Sequence, residues 1–321
     1  MIKKLSIQNF KSIKGLQLDC KRVNIFVGDP NAGKSNILEA FTFLNVHKKL
    51  KDFVRFREIS HLFHDYDSTE EIVIKADDIT SRVWIESDSL RIESRKGDQI
   101  VFQQNAAMNG EPLASTPSDQ VIDLPRILSY KYNPDVVFGR GERLYLEAPF
   151  GQNLPSVLLS NKELHSIVKN LLDDFEYKLL IKPLGDDFEI IRDRNGSFIS
   201  FPLVLMSDSL KRIIFNLAVV KSNENSIILL EEPEAKTFPF YIKALAEMMA
   251  KQDKNQYFVV THNSHFLTSA IEKTPVDELT VNLVYTRDYS TELVSLTPNQ
   301  IESVLDYGSD FFINFNKFIE A

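Results

Sequence analysis

The chain has 321 residues and a net charge of −8, and 43% of its residues are hydrophobic, which is enough to bury one large core or two modest ones. Its single cysteine, Cys20, excludes an internal disulfide and a Cys-x-x-Cys zinc site, and suits a reducing compartment. No apolar run approaches the roughly twenty residues of a membrane span, and the N-terminus does not read as an apolar signal sequence. We therefore expect a soluble, cytoplasmic protein without membrane contact.

The first predicted elements are a short buried strand at 23–27 and a helix that begins near residue 34. Between them lies the sequence Gly28-Asp29-Pro30-Asn31-Ala32-Gly33-Lys34-Ser35. This is the pattern of a phosphate-binding loop, in which glycines let backbone N–H groups surround the phosphates. Lys34 would reach the β- and γ-phosphate oxygens and Ser35 would ligate Mg²⁺, while Asn36 follows among the residues expected to bind the cofactor. We expect a nucleoside triphosphate site in a surface loop.

The middle of the chain contains short apolar runs separated by charged turns. Their regular spacing predicts an antiparallel meander, with strands at 72–75, 82–85, 90–92 and 100–102. Residues 105–120 contain a glycine and two prolines and are predicted to form a loop. Residues 155–175 have one apolar side at helical spacing and predict a single helix. Asn195-Gly196 predicts a hairpin turn between two strand-like segments.

Two adjacent carboxylates follow an apolar strand at 226–230. Strands buried on both faces of a parallel sheet have this composition, and ligands bind at their carboxyl ends. Glu231 would hold Mg²⁺ or its water shell, and Glu232 would orient and deprotonate the attacking water. The alternative is a solvated acidic loop after a core strand. A further strand at 257–260 leads to His262, which is either a γ-phosphate contact or an ordinary loop residue.

These motifs follow one another in the order found in ABC-type ATPases. The order is Gly28 to Ser35, then Met206-Ser207-Asp208-Ser209, then Leu229 to Glu234, then Thr261-His262. The opening residues, Ile2 to Ser12, resemble the branch that contains RecF, SMC and the ATPase domains of OLD-family proteins. The resemblance implies an α/β fold, a P-loop ABC-type ATPase head with a mixed sheet, an antiparallel β lobe and a helical insert. The sequence has no sustained heptads, so we do not expect the coiled coil of the SMC branch. The segment after His262 is short, so we do not expect an added nuclease domain either.

The same resemblance implies ligands, partners and roles. ATP and Mg²⁺ are the expected ligands, His262 the switch histidine, and Ser207 the start of a signature motif that closes over ATP held by a neighbouring subunit. Two heads would therefore form an ATP-dependent homodimer. We expect one domain over residues 1–321. Its parts are the N-terminal strands and phosphate-loop helix at 1–57, the antiparallel lobe and helical insert at 58–205, and the signature, acidic pair, switch histidine and C-terminal region at 206–321.

The chain departs from the family pattern, and two of these departures bear on the rate of hydrolysis. Ser209 stands where many relatives have glycine, so the signature backbone is expected to approach phosphate less closely. The glutamine that usually senses Mg²⁺ has no clear position, and Gln103 and Gln104 are candidates only by rough location. Slow or partner-dependent hydrolysis would follow. A GTPase is disfavoured because neither Asn161-Lys162 nor Asn316-Lys317 is followed by the aspartate that reads guanine.

Two functions remain open at this point. In the first, the ATPase acts on DNA in repair or in a prokaryotic antiviral defence, together with a partner effector protein. In the second, it is a nucleotide-gated scaffold that binds an effector, with slow or no hydrolysis and no DNA contact; a transporter subunit is a weaker third. Residues 1–57 carry twelve Lys and Arg against four Asp and Glu, which suits DNA, whereas the overall acidity opposes tight non-specific binding to it.

Overall fold

The computed structural model describes residues 1–45, 49–117, 124–182 and 188–319. The strands are β1 Lys4–Phe10, β2 Ile13–Asp19, β3 Val23–Gly28, β4 Ile72–Ala76, β5 Ile79–Glu86, β6 Ser89–Lys96, β7 Gln99–Ala107, β8 Pro112–Pro117, β9 Arg126–Tyr130, β10 Lys178–Ile181, β11 Phe188–Arg194, β12 Ser197–Pro202, β13 Ser226–Glu231, β14 Gln256–Val260, β15 Leu279–Arg287 and β16 Ser290–Ser295. The helices are α1 Lys34–Ala40, α2 Leu154–Ser160, α3 Lys162–Asp173, α4 Asp208–Ser222, α5 Pro239–Lys251, α6 Ser264–Lys273, α7 Pro298–Tyr307, α8 Phe311–Asn314 and α9 Asn316–Ile319. Within those ranges, no helix has both the length and the apolar composition needed to cross a bilayer.

The first sheet is antiparallel, with strand order β2-β1-β4-β5-β6-β7-β8. The predicted meander is confirmed, since β4 to β7 pair consecutively. The loop predicted at 105–120 is wrong, because β7 continues to Ala107 and β8 pairs with it as an edge strand; residues 118–120 lie outside the described residues. The turn between the two strands contains Gly110, and β8 begins at Pro112, a position that an edge strand tolerates.

The second sheet is the mixed sheet, with strand order β16-β15-β3-β14-β13-β9. All neighbours are parallel except β16, which is antiparallel to β15. Both faces are buried, as β14 illustrates: Phe258 and Val260 pack into the core shared with the antiparallel sheet, whereas Tyr257 and Val259 pack into the core shared with the helices. Such burial explains the continuous apolar runs of its strands, and it places the carboxyl ends of β3, β13 and β14 at one edge.

The remaining region combines helices with a three-stranded sheet, β10-β11-β12. The single helix predicted at 155–175 is wrong, because Asn161 separates α2 from α3. Its side-chain oxygen accepts a hydrogen bond from the Leu164 backbone N–H at 2.9 Å and caps the new helix. The predicted hairpin is confirmed: Asn195 and Gly196 have φ of 55° and 82° between β11 and β12, as a type I′ turn requires.

Cys20 lies just after β2 and is half-buried. Burial raises the pKa of the Cys20 thiol to about 12, and the negative charges of Asp77 and Asp19 add to this effect. Since the thiolate is the reactive form of cysteine, the raised pKa is expected to slow reactions of this thiol at neutral pH.

Candidate nucleotide-binding site

The phosphate loop, residues 28–36, joins the carboxyl end of β3 to the first turn of α1. Gly28 and Gly33 have φ of 150° and 93°, values that favour glycine. A Cβ at Gly28 would lie 1.9 Å from the Val284 carbonyl oxygen, and one at Gly33 would lie 2.1 Å from Thr291 Oγ1. Both positions therefore require glycine for space as well as for backbone conformation.

The outer part of the phosphate loop faces solvent. Its exposed residues are Asp29, Pro30 and Asn31. Asn31 has φ of 63°, which asparagine adopts more readily than most residues. Ala32 is buried, and Asn36 Nδ2 donates to Ser12 Oγ at 2.7 Å, which ties the start of α1 to the turn between β1 and β2. The loop is thus anchored at both sides, with an exposed backbone between them.

Lys34 lies inside the curl of the phosphate loop and is only 5% exposed. Its ammonium donates to the carbonyl oxygens of Gly28 at 3.0 Å and Asp29 at 2.6 Å. Burial lowers the pKa of Lys34, while the charges of Asp29, Glu232 and Glu231 oppose that shift. The prediction of a surface loop therefore holds for the outer residues and not for the Lys34 side chain, which is held within the loop.

Ser35 and Glu231 meet at the same edge of the mixed sheet. Glu231 is the last residue of β13, and its carboxylate accepts a hydrogen bond from the Ser35 hydroxyl. A hydroxyl and a carboxylate oxygen are hard oxygen ligands of the kind that Mg²⁺ takes, with the rest of its octahedral shell coming from water and phosphate. The two residues predicted as metal ligands are therefore brought together, and their chemistry fits Mg²⁺.

Glu232 and His262 follow the neighbouring strands β13 and β14. Their side chains approach each other, with His262 Nε2 3.8 Å from Glu232 Oε1. The Glu232 backbone N–H donates to the Val260 carbonyl at 2.9 Å, and its φ is 45°, an uncommon value for a residue with a side chain. Burial lowers the pKa of His262, and Lys34 lowers it further, while Glu232 opposes the shift. The half-exposed Glu232 carboxylate is accessible to water beside a histidine that favours its neutral form.

Glu234, for which the sequence predicts no role, connects the loop after β13 to the loop after β14. Its Oε1 accepts hydrogen bonds from Thr261 Oγ1 at 2.6 Å and from the His262 backbone N–H at 3.0 Å. Its other oxygen, Oε2, is buried without a hydrogen-bond partner in the described residues. Burial raises the pKa of Glu234. The only signal in the sequence was a third acidic residue close behind the adjacent pair.

A second group that the sequence did not reveal surrounds Glu39, which is buried on α1. Glu39 accepts from Lys11 and from Arg55 Nε, the latter at 2.7 Å, and Arg55 also lies 3.6 Å from Glu231. Burial opposes the charge of Arg55, but Glu39 and Glu231 hold its pKa above the usual value. The cluster links the antiparallel sheet, α1 and the end of β13, so basic residues near the N-terminus contribute directly to the site.

The signature segment lies at the start of α4. Ser207 is the N-cap of this helix, and its hydroxyl accepts from the Leu210 N–H at 3.3 Å. Asp208 accepts from the Tyr132 hydroxyl at 2.8 Å, which is the main reason for its lowered pKa. The hydrogen bond of Ser207 is within its own helix, so the predicted contact with ATP in another subunit stays a prediction.

One buried hydrogen bond connects α4 to the acidic segment. Asn216 Nδ2 donates to the Pro233 carbonyl at 2.7 Å.

The two glutamines considered as metal sensors, Gln103 and Gln104, lie within β7. Gln103 pairs with Glu93 of β6, and its Nε2 donates to the Glu93 carboxylate at 2.7 Å. They are strand residues of the antiparallel sheet and do not follow a strand of the mixed sheet.

Comparison with known proteins shows that the chain is similar to ATPase domains. Residues 1–117 match a family model described as an AAA ATPase domain. DNA replication and repair protein RecF from Oenococcus oeni is 25% identical over 171 residues, which are 52% of this chain and 41% of the relative. The chain therefore spans about two-fifths of the length of that relative.

Solved structures of SMC heads cover nearly the whole chain. An SMC head bound to the C-winged helix domain of ScpA has a TM-score of 0.56 at 15% identity, covering 94% of this chain and 99% of the other. The Smc head domain with an extended coiled coil bound to the C-terminal domain of ScpA, derived from Pyrococcus furiosus, has a TM-score of 0.51 at 15% identity, covering 95% and 98%. At this identity the likeness shows the fold.

The mixed sheet, the antiparallel sheet and the phosphate loop together define an ABC-type ATPase head. The fold resembles that of SMC heads, and the sequence is similar to that of a RecF protein. The predicted resemblance and the predicted fold class are both confirmed.

Proposed function

We propose that this chain binds and hydrolyses ATP with Mg²⁺, as one ABC-type ATPase domain over residues 1–321 with the three parts expected from its sequence. The observation that carries the proposal is the convergence of Lys34, Ser35, Glu231 and Glu232 at one edge of the mixed sheet. A phosphate loop, a metal-ligand pair and a water-accessible carboxylate are the parts that phosphoryl transfer to water requires.

Each group in this site has a separate role in the proposal. The phosphate loop would hold the phosphates through its backbone N–H groups and Lys34. Ser35 and Glu231 would hold Mg²⁺, which would supply positive charge against the phosphates. Glu232 accepts a proton from the attacking water. Neutral His262 donates one hydrogen bond towards the γ-phosphate, and Glu234 positions it by holding the His262 backbone.

The proposed assembly is an ATP-dependent dimer in which Ser207 of one head faces the ATP of the other. Such heads are symmetric partners, so each dimer would hold two composite sites. The relatives suggest what the dimer serves: the RecF relative is named for DNA replication and repair, and the SMC heads were solved with domains of ScpA. We propose a role on DNA, in repair or in antiviral defence, with a partner effector protein.

A nucleotide-gated scaffold is the second candidate, because serine replaces glycine at position 209 of the signature. It predicts effector binding that requires ATP but neither DNA nor turnover. DNA binding that strengthens with ATP and weakens with salt would favour the first function.

The experiment that tests the proposal is phosphate release from ATP with and without Mg²⁺. The wild-type chain should release phosphate only with Mg²⁺, and Lys34→Ala should remove that activity. The wild type could bind ATP tightly through Lys34 and yet release no phosphate, even when DNA or a protein encoded by a neighbouring gene is added. That result would support the nucleotide-gated scaffold over the ATP-hydrolysing enzyme. If the wild type does not bind ATP, both candidates fail.

A further inference from the structure

Lys131 reaches the edge of the mixed sheet that carries Ser35 and Glu231. It directly follows β9, which runs parallel to β13 as its neighbour. In that pairing Tyr130 lies opposite Leu230, so the next residues along the two strands, Lys131 and Glu231, are neighbours. The backbone N–H of Lys131 donates to the Pro149 carbonyl at 2.9 Å, which fixes the position of the residue.

The ammonium of Lys131 lies in a half-buried, crowded electrostatic environment. It donates to the Phe53 carbonyl at 2.9 Å. Burial lowers the pKa of Lys131; Glu39 and Glu231 oppose that shift, and the positive charges of Arg55 and Lys11 add to it. The register of β9 and β13, which puts Lys131 beside Glu231, explains why these charges act on the ammonium.

The local charges do not balance. Lys11 and Arg55 form ion pairs with Glu39, and Arg55 also approaches Glu231. Lys131 is a third cation beside these two carboxylates, and in the part of the chain that the structure describes no carboxylate lies at ion-pair distance from it. A half-buried ammonium that has only a carbonyl acceptor is poorly compensated. An anion placed beside Glu231 would compensate it.

We propose that Lys131 donates to the terminal phosphate of bound ATP, from the β9 side of the site, and so distinguishes ATP from ADP. The inference rests on the proposed function, which puts the phosphates on the phosphate loop next to Glu231. An ammonium has three donors and no lone pair, so it can bind phosphate oxygens but cannot ligate Mg²⁺. Lys34 lies inside the phosphate loop, whereas Lys131 lies at the end of β9, on the other side of Glu231.

The test is equilibrium binding of ATP and of ADP, each with Mg²⁺, to the wild type and to Lys131→Met. A charge-assisted contact made only to the terminal phosphate predicts about tenfold weaker ATP binding and ADP binding changed less than about twofold. Lys254→Met is the matched control, because Lys254 is exposed and pairs with Glu224 at 2.9 Å, and it should change neither affinity.

Lys131→Gln tests whether the loss of ATP affinity comes from the lost charge or from a disturbed structure. Its amide can still donate to the Phe53 carbonyl but carries no charge, so this variant should fold normally and still lose the preference for ATP. Equal weakening of ATP and ADP, or an unchanged ratio of the two affinities in both variants, would overturn the inference while leaving the proposed function standing. If the wild type bound neither nucleotide, the proposed function itself would fail, and the inference with it.

Discussion

Two surfaces of this protein differ in composition: one contains charged groups that contact one another, and the other exposes apolar side chains to solvent. The nucleotide edge, formed by residues 28–36, Glu231, Glu232 and His262, contains charges that are partly or fully buried and engaged with other groups. The signature surface, formed by β12 and residues 203–208, presents apolar side chains to solvent: Phe198, Val204 and Leu205 are 66%, 66% and 69% exposed.

The two surfaces differ in how their groups are assembled. The nucleotide edge is organised by contacts within one chain, since parallel strands bring its groups together. The signature surface has a polar cap at Ser207 and exposed apolar neighbours, the composition of a surface that another molecule covers. A site whose groups are assembled within one chain and an exposed apolar surface thus occur in the same protein, and substitutions can test the two separately.

The largest expected effect falls on the nucleotide edge alone. Lys34→Ala should lower ATP affinity by at least a factor on the order of a hundred, because it removes a charge-assisted contact to the phosphates. Isothermal titration measures the loss, and a thermal melt checks that the variant folds. Lys14→Ala is the control, since Lys14 is exposed. Wild-type affinity in a folded Lys34→Ala protein would contradict the assignment of the site.

The next prediction joins the two surfaces. Glu232→Gln keeps the size of the side chain but removes the base, so hydrolysis should fall by roughly a hundredfold or more while ATP binding survives. Trapped ATP should then hold two heads together, and light scattering should detect a dimer only with ATP and Mg²⁺.

Adding Ser207→Arg to that variant should abolish the dimer, because a bulky cation would occupy the surface that closes over the partner's ATP. ATP binding by each head should remain, since Ser207 is not part of its own phosphate site. A Glu232→Gln protein that stays monomeric at saturating ATP and high concentration would show that the isolated chain does not form the proposed dimer.

A smaller effect is expected at the metal-ligand pair. Ser35→Ala removes a hydroxyl that contacts Glu231, so ATP affinity measured with Mg²⁺ should fall about tenfold. Affinity measured in EDTA should change much less, because the phosphate loop backbone and Lys34 remain. Equal losses under the two conditions would remove Ser35 from the metal shell.

The smallest expected effect is on the pH dependence of the free energy of unfolding. Because burial raises the pKa of Glu234, the folded protein holds that proton more tightly than the unfolded chain. The stabilisation is fully present below the ordinary glutamate range and is lost as the pH rises through the raised folded pKa. Glu234→Gln does not titrate, so its free energy of unfolding relative to the wild type should increase by roughly 1 kcal/mol between about pH 5 and about pH 8.

Chemical denaturation at the two pH values measures this difference. Glu302→Gln is the control, since Glu302 is exposed on α7, and its relative stability should not depend on pH in this way. A relative stability of Glu234→Gln that stays constant or falls with rising pH would show that the buried carboxyl does not keep its proton.

The sequence predicted the core of the nucleotide edge because its groups follow directly after recognisable strands. Ser35 and Glu231 meet because β3 and β13 are parallel strands of one sheet, and buried apolar runs are the signal of such strands. Arg55 gave no comparable signal, since its proximity to Glu231 depends on how a separate segment packs. Lys131 gave none because β9, the strand before it, was not predicted. The break at Asn161 was missed because apolar spacing continues through it, while a local cap decides the boundary.

The state of Cys20 has a practical consequence for experiments. Burial raises the pKa of the chain's single thiol, so thiol-directed dyes and spin labels should react with it more slowly than with an exposed cysteine while the protein is folded. The wild-type sequence is therefore a ready background for site-specific labelling. A cysteine introduced at Leu205, where the side chain is exposed, should react much faster than Cys20, and a dye there would report on whatever covers that surface.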